Sequence, residues 1–346
     1  MKKNEENKKP KETNIDAVLK EIIKEFGEES IMKAAEKRKI DIDVLPTGIM
    51  SLDDALGIGG IPKGRIIEIF GPESSGKTTL SLQLIAQAQK LGMLCAFVDA
   101  EHSLDLKYSS QLGVDTSKLL ISQPDCGEDA LNITEKLVNS KKVGLIIIDS
   151  VAALTPRAEI DGIMGQTHIG LQARLMSQAL RKLAAICSRT NTIVVFINQI
   201  RLKIGMAWGN PETTTGGVAL KFYTSVRIEV RQSVKLKKNE EIIGNRIKVK
   251  IAKNKIASPY KTTEYDIIYG EGISQVADIV NLGLEHDVIE KEGNTLTFET
   301  KKLGRSLEKT KEFLKENPDV LEEIIKKVKE RLGKPKIKSI TEDTEE

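Results

Sequence analysis

The sequence predicts an α/β fold: a mostly parallel, twisted sheet flanked by helices, forming a phosphate-loop core. Three observations carry the prediction. Apolar, strand-like runs at 66–70, 94–98, 119–122, 145–148 and 192–197 are mostly separated by helical stretches, the order that covers a parallel sheet on both faces. The run Gly71-Pro72-Glu73-Ser74-Ser75-Gly76-Lys77-Thr78-Thr79 matches G-x-x-x-x-G-K-[ST] in full and stands between a strand-like run and a helix-like run free of Gly and Pro, the setting such a loop needs. Finally, Leu145-Ile146-Ile147-Ile148 ends in Asp149, an apolar strand closed by a carboxylate, the second signature of nucleotide hydrolases.

Composition bounds the rest. With 346 residues, the chain is long enough for one large domain and one or two small ones, and 40% apolar residues support an ordinary core. A net charge of +3 gives no global basic field, so any nucleic-acid surface must be local. Cys95, Cys126 and Cys187 form no C-x-x-C pair, which argues against a zinc ribbon or a disulfide framework and fits a reduced, cytoplasmic compartment. The Lys- and Glu-rich start has no apolar segment of signal-peptide type, and no apolar run approaches eighteen residues. His102, His168 and His286 are too scattered for a metal-binding trio.

In chain order, the first thirteen residues are charged and poor in apolar side chains. Ile15, Val18, Leu19, Ile22, Ile23 and Phe26 then form one helical stripe, stopped by Gly27. A second short helix is expected over about 30–38. This unit, 1–44, is too small to bury its stripe alone and must pack either on the main domain or on another subunit. The core is expected over 45–269. Its later runs, 223–230, 246–252 and 264–268, have short connections and read as antiparallel additions to one edge. Two segments, 161–170 and 200–217, read as long loops of the functional or mobile kind. A small α/β unit follows over 270–333: a helix near 273–284, a hairpin around Glu292-Gly293-Asn294, and two helices broken at Asn317-Pro318. Residues 334–346 form a polar tail with an acidic end.

The residue types suggest chemistry. Gly71 and Gly76 let the backbone curl so that successive N–H groups point at phosphate oxygens, aided by the positive end of the following helix. Lys77 is placed for the β and γ phosphates of a nucleoside triphosphate, and Thr78 and Asp149 for Mg²⁺. Glu101, just past the strand ending in Asp99, is the better candidate to deprotonate an attacking water. Asn198-Gln199 ends a strand immediately before the second long loop; Gln199 is either a polar strand terminus or an amide that reads the γ phosphate and orders the loop behind it. For nucleic acid, Arg174 and Arg181 share a helix face, with Arg201, Lys203 and Trp208 nearby in the loop, yet arginines at this spacing are also common on solvated faces.

Several separate stretches together resemble the bacterial RecA recombinase family: the 71–79 loop, Asp99-Ala100-Glu101-His102, Asp149-Ser150-Val151-Ala152-Ala153-Leu154, Phe196-Ile197-Asn198-Gln199-Ile200-Arg201, Gly209-Asn210-Pro211-Glu212-Thr213-Thr214-Thr215-Gly216-Gly217 and Lys253-Asn254-Lys255-Ile256. The resemblance runs from about residue 14 to 332. It implies a DNA-dependent ATPase that forms a helical homo-oligomer on single-stranded DNA with ATP and Mg²⁺. It further implies pairing of that strand with double-stranded DNA, strand exchange in repair, and self-cleavage of a LexA-type repressor in the SOS response. By the same resemblance, 161–170 and 200–214 are DNA-contacting loops, so that Ile169, Gly170, Arg174, Arg181, Arg201, Ile204, Trp208, Gly216 and Gly217 are expected at DNA. Glu101 activates water, Gln199 senses the γ phosphate, Asp105 and Tyr108 contact adenine, and Lys253 and Lys255 reach the γ phosphate of a neighbouring subunit. The N-terminal helix then packs on that neighbour. Leu106, Trp208 and the short acidic tail depart from the family's usual pattern.

Overall fold

The computed structural model describes residues 15–31, 42–165, 168, 170–202 and 211–332. The chain divides into two units, Met1–Ile42 and Asp43–Glu346. In the first, the expected stripe forms helix α1 (Ile15–Phe26), none of whose residues is buried. Gly27 stops it and a single turn follows at Glu28–Ser30. Ile31, inside the second expected helix, is extended, and the rest of that expected helix, 32–38, lies outside the described residues.

The second unit opens with β1 (Val44–Leu45), α2 (Met50–Leu56), β2 (Ile61–Pro62), β3 (Ile66–Gly71), α3 (Lys77–Lys90), β4 (Leu94–Asp99), α4 (Leu106–Gln111), β5 (Leu119–Ser122), α5 (Gly127–Asn139) and β6 (Val143–Asp149). It continues with α6 (Arg157–Ile160), α7 (Leu171–Thr190), β7 (Ile193–Leu202), β8 (Glu212–Thr214), α8 (Ala219–Tyr223), β9 (Val226–Lys238), β10 (Glu241–Asn254), β11 (Thr262–Ile268) and β12 (Gly272–Ile273). The main sheet has the order β12-β11-β10-β9-β3-β7-β6-β4-β5, with β8 paired to β7.

Side-chain alternation sorts the apolar residues of this sheet onto two faces. Ile67, Ile69, Ile147 and Val195 pack with Leu80 and Leu84 of α3. Ile66, Ile146, Ile148, Val194 and Phe196 pack with Leu131 of α5 and Leu180 and Leu183 of α7. Burial on both faces explains why these strands read as continuous apolar runs rather than alternating ones.

The structure corrects two sequence expectations. β9 is not an antiparallel addition: it lies parallel to β3, with Glu68 opposite Arg227, and the antiparallel additions on that edge are β10, β11 and β12. Its connection from β7 includes α8, a single short helix inside what reads as a polar connection. β7 does not end at Gln199; it runs to Leu202, because Glu212, Thr213 and Thr214 return as β8 and satisfy its backbone. The segment 200–217 is therefore framed by a two-stranded ribbon, with 203–210 outside the described residues.

The C-terminal elements are α9 (Gln275–Glu285), β13 (Glu290–Glu292), β14 (Thr295–Phe298), β15 (Lys301–Gly304), α10 (Leu307–Glu316) and α11 (Pro318–Leu332). They share a core that includes Val280, Leu296, Phe298, Leu314 and Ile324, with Met50 of α2 packed against it. Ser306 caps α10 by accepting from Lys309 N (3.2 Å), and Pro318 opens α11, where its missing N–H costs no helical bond.

Candidate active site

β3 is buried along its whole length and ends at Gly71, while α3 begins at Lys77. The intervening residues form the loop. Gly76 caps the helix with φ +90°, and an added Cβ would sit 2.7 Å from Ile267 Cδ1, so both backbone and space demand glycine. The loop floors a cleft of about 250 Å³ whose walls are Tyr108, Asn245, Ile247, Ile267 and Tyr269. Lys77 Nζ donates to Pro72 O at 2.6 Å across the loop. Burial holds the Lys77 ammonium below its ordinary pKa, against the opposing charges of Asp149, Glu101 and Glu73. The Ser75 hydroxyl is buried with no protein partner. Free helix N–H groups, an orphaned hydroxyl and a half-desolvated lysine are the complement of a polyphosphate.

A larger cleft, of about 770 Å³, lies between α2 and the C-terminal helices, where it is lined by Asp53, Asp278 and Lys329. It contains none of the phosphate-binding elements, so volume does not identify the chemistry here.

Thr78 Oγ1 donates to Asp149 Oδ2 at 3.1 Å. Burial first, and then the charge of Glu101, push the Asp149 carboxyl up to about 6. Among the described residues no group of three or more His, Cys, Asp or Glu is arranged to hold a metal. Thr78 and Asp149 place two hard oxygens side by side at the loop, the kind of ligand Mg²⁺ takes when water and substrate phosphate complete its shell.

The two acids after β4 divide sharply. Asp99 is fully buried and accepts from Ser103 N (3.1 Å), Leu104 N (3.2 Å) and Gln123 Nε2 (3.0 Å), so it holds the turn together. Glu101 stands beyond that turn, where it accepts from Ser150 Oγ and from Gln199 Nε2, the latter at 3.0 Å. Gln199 Oε1 in turn accepts from Arg201 Nη2 at 2.6 Å. A continuous line of hydrogen bonds thus runs from Ser150, next to Asp149, to Arg201 on the ribbon.

Tyr108 reaches the loop directly, with its hydroxyl 3.1 Å from Thr79 Oγ1. Asp105 caps α4, its Oδ1 accepting from Lys107 N (2.8 Å) and Tyr108 N (3.0 Å), and so it orients the tyrosine.

Lys253 and Lys255 do not line this cleft; they stand at the C-terminal end of β10, beyond the stretch that carries Asn245 and Ile247. Both ammonium groups donate to carbonyls at the end of α8: Lys253 to Lys221 O and Phe222 O, and Lys255 to Phe222 O at 2.9 Å. The carbonyls at the helix C-terminus thereby offset the like charges of the pair. Burial, then Lys255 and Arg227, push the Lys253 ammonium down to about 8.

Of the residues expected at DNA, Arg174 and Arg181 line one surface hollow on α7 with Ser177 and Gln178. Gly170 is the N-cap of α7. Gly216 and Gly217 have φ near +78°, and an added Cβ would meet Val151 Cγ1 at 2.6 Å or Ala173 Cβ at 2.7 Å. Their glycine identity is thus set by close approach to Val151, just past β6, and to Ala173 of α7. Ile169, Lys203, Ile204 and Trp208 lie outside the described residues. Sequence reading missed Ser150 and the far wall of the cleft, Asn245, Ile247, Ile267 and Tyr269, which come from strands more than 160 positions after the loop and carry no local motif.

Residues 13–274 match the RecA N-terminal domain and residues 277–333 the RecA C-terminal domain. Protein RecA of Campylobacter lari is 56% identical over 324 residues, covering 93% of this chain and 94% of that one. Protein RecA of Sulfurovum sp. (strain NBC37-1) is 57% identical over 324 residues, covering 93% of each. The crystal structure of the RadB recombinase is similar in fold, with a TM-score of 0.51 and 24% identity, over 66% of this chain and 98% of that one. Matches of this extent show that the chain belongs to the RecA family, the ATP- and DNA-binding proteins of DNA recombination and repair.

Proposed function

We propose that this protein is a DNA-dependent ATPase that assembles as a helical filament on single-stranded DNA and pairs that strand with homologous duplex. The observation that carries the reading is the hydrogen-bonded line from Glu101 through Gln199 to Arg201. It joins the acid best placed to activate water to the first residues of the segment expected at DNA, so hydrolysis and DNA contact share one element.

In this reading the loop N–H groups and Lys77 hold the triphosphate. Thr78 and Asp149 would hold Mg²⁺, which neutralises charge on the transferring phosphoryl group. Glu101 takes the proton of the attacking water. Gln199 exchanges its bond to Glu101 for one to the γ phosphate, and Arg201 and β8 move with it. Lys253 and Lys255 serve a neighbour's γ phosphate, so that ATP joins subunits in an open head-to-tail array. The exposed stripe of α1 docks on the adjacent subunit, because an apolar stripe of this kind is stable only when covered. Two further steps belong to the same proposal: strand exchange, and stimulation of LexA-type repressor self-cleavage.

Electron microscopy with a slowly hydrolysed ATP analogue and single-stranded DNA tests the assembly. Continuous helical filaments support it, whereas closed rings or bare DNA refute it. ATPase assays with and without single-stranded DNA separate it from a non-hydrolysing coat protein. Incubation of the filament with a purified LexA-type repressor tests the last step, and an intact repressor would remove it.

A further inference from the structure

On the face of the sheet opposite the phosphate loop, a buried carboxylate sits at the junction of three strands. Glu68 lies in the middle of β3, where every neighbouring position is apolar, and its side chain is fully buried. An ionised group in such a place is tolerated only when it is paired and fully hydrogen-bonded. It is both. One oxygen accepts from Arg227 Nε, and the other accepts from Asn198 Nδ2 at 2.9 Å. Arg227 stacks over the Phe70 ring at 4.3 Å, which fixes the guanidinium plane.

Register makes this a row across the sheet. Lys253 of β10 is opposite Arg227 of β9, and Arg227 is opposite Glu68 of β3. On β7 the residue opposite Glu68 is Phe196, and Asn198, two positions further on and on the same face, reaches Glu68 diagonally with all four of its amide bonding positions used. Its Nδ2 serves Glu68 and Thr215 O (3.1 Å), while its Oδ1 accepts from Gln199 N (2.9 Å) and Thr215 Oγ1 (2.5 Å). Flipping the amide would set its oxygen against the Glu68 carboxylate and Thr215 O and its NH₂ against the Gln199 N–H, so Glu68 and these two backbone groups hold Asn198 in one orientation together.

We propose that Glu68 is a positioning residue for ATP hydrolysis: through Arg227 and Asn198 it holds the Lys253 strand, the Gln199 backbone and the Thr215 end of the ribbon in one arrangement. The proposal rests on the roles given above to Gln199 and to the lysine pair. Glu68 itself touches no phosphate. It ties a group serving the neighbour's nucleotide to the group reading its own subunit's nucleotide. A change at either end that rotates Asn198 or draws Arg227 away leaves a buried charge half-paired, and for that reason the two ends respond together.

The test is Glu68→Gln in the full chain. Glutamine keeps the size but turns one acceptor into a donor, so either Arg227 or Asn198 faces a donor instead. Binding of the ATP analogue without DNA is expected to stay within about twofold, KM for ATP within about threefold, and DNA-stimulated kcat to fall about tenfold or more. The enhancement of single-stranded DNA affinity by the analogue should shrink about tenfold, in the range of a typical coupling energy. Arg227→Lys, which keeps the charge but loses the fork, should move the same two readouts and serves where Glu68→Gln folds poorly. Parental kcat and parental enhancement would overturn the proposal. So would a loss of analogue binding in step with kcat, which marks mere damage to the core. If Lys253→Ala/Lys255→Ala turns over ATP at the parent rate while Glu68→Gln does not, the lysine reading fails and the link across the sheet fails with it. An absence of DNA-stimulated hydrolysis in the parent would instead sink the function proposed above.

Discussion

Replacing Glu101 by Gln separates chemistry from architecture at this site. Glu101 Oε1 accepts both of the bonds found there, from Ser150 Oγ and Gln199 Nε2. The amide oxygen of glutamine can accept the same two, so the line to Arg201 survives and folding stability should change by less than about 0.5 kcal/mol. Nucleotide affinity should likewise stay within about threefold, because no phosphate-binding group is touched. What disappears is the base. Loss of a positioned general base slows the chemical step by roughly 10²–10⁴-fold, which is about 3–5.5 kcal/mol in barrier height at about 1.4 kcal/mol per factor of ten. Removing the Glu101 charge also removes one of the causes that push the Asp149 carboxyl up to about 6, so that carboxyl should ionise at lower pH in the variant. The assay is steady-state ATP turnover on saturating single-stranded DNA, beside analogue binding by fluorescence and a thermal melt. Turnover within about tenfold of the parent, with binding and melting unchanged, would take Glu101 out of the role of base.

Lys253→Ala/Lys255→Ala should leave analogue binding to isolated subunits unchanged and cut DNA-stimulated turnover by about 10³-fold or more, on the scale of a charge supplied in trans; parental turnover refutes it. Because Lys253 is protonated only below about 8, parental DNA-stimulated turnover should decline as pH rises past that value, and a flat profile to pH 9.5 would deny the lysine a charged role. Arg174→Ala and Arg181→Ala should each reduce the slope of log K against log salt for single-stranded DNA by about 0.7, the value per phosphate contact on single strands; an unchanged slope places that residue off the DNA. Asp53 is raised from 3.8 to about 7, chiefly by burial, so the native state keeps a proton that the unfolded chain has lost, and stability should fall as pH rises from about 4 to 7. Asp53→Asn keeps the acceptor for Thr47 N and should raise Tm by roughly 10 °C at pH 8, an effect of roughly 4 kcal/mol at about 1.4 kcal/mol per pKa unit, and hardly at all at pH 4; equal melts at pH 8 refute the assignment.

Features that depend on neighbours in sequence were legible, while those that depend on neighbours in space were not. The loop at 71–79, the apolar strand into Asp149 and the break at Asn317-Pro318 are local patterns, and each falls where its pattern placed it. Of the two acids after β4, Asp99 is consumed by turn hydrogen bonds and Glu101 faces Gln199. The β7 end was misread because Asn198-Gln199 look like a polar terminus, whereas pairing with β8 extends the strand through polar residues. β9 was misassigned because a five-residue helix does not show as a helical period. Glu68 was invisible, since a lone acid in an apolar run carries no sign of the Arg227 that pairs with it 159 positions later.

Register explains why scattered strand ends become one site. Parallel neighbours bring their carboxyl ends to a common edge, and ligands bind in the crevice outside it. Here Gly71 of β3 is opposite Gln199 of β7, and Asp99 of β4 is opposite Asp149 of β6. The phosphate loop, the acid pair and the amide therefore share one edge, although they are spread over 128 positions of sequence from Gly71 to Gln199. β7 continues three residues past that line, to Leu202. That overrun places Gln199 inside a strand rather than at a loose terminus, with Ile200, Arg201 and Leu202 paired to β8. Alternation then sends Gln199 toward Glu101 and Asn198 to the opposite face, toward Glu68. Two adjacent residues on one rigid strand so address the two sides of the sheet: one faces the nucleotide, and the other faces the row that ends at Lys253. A displacement of β7 of even a few tenths of an ångström is felt on both sides at once, which a flexible loop in the same position could not deliver.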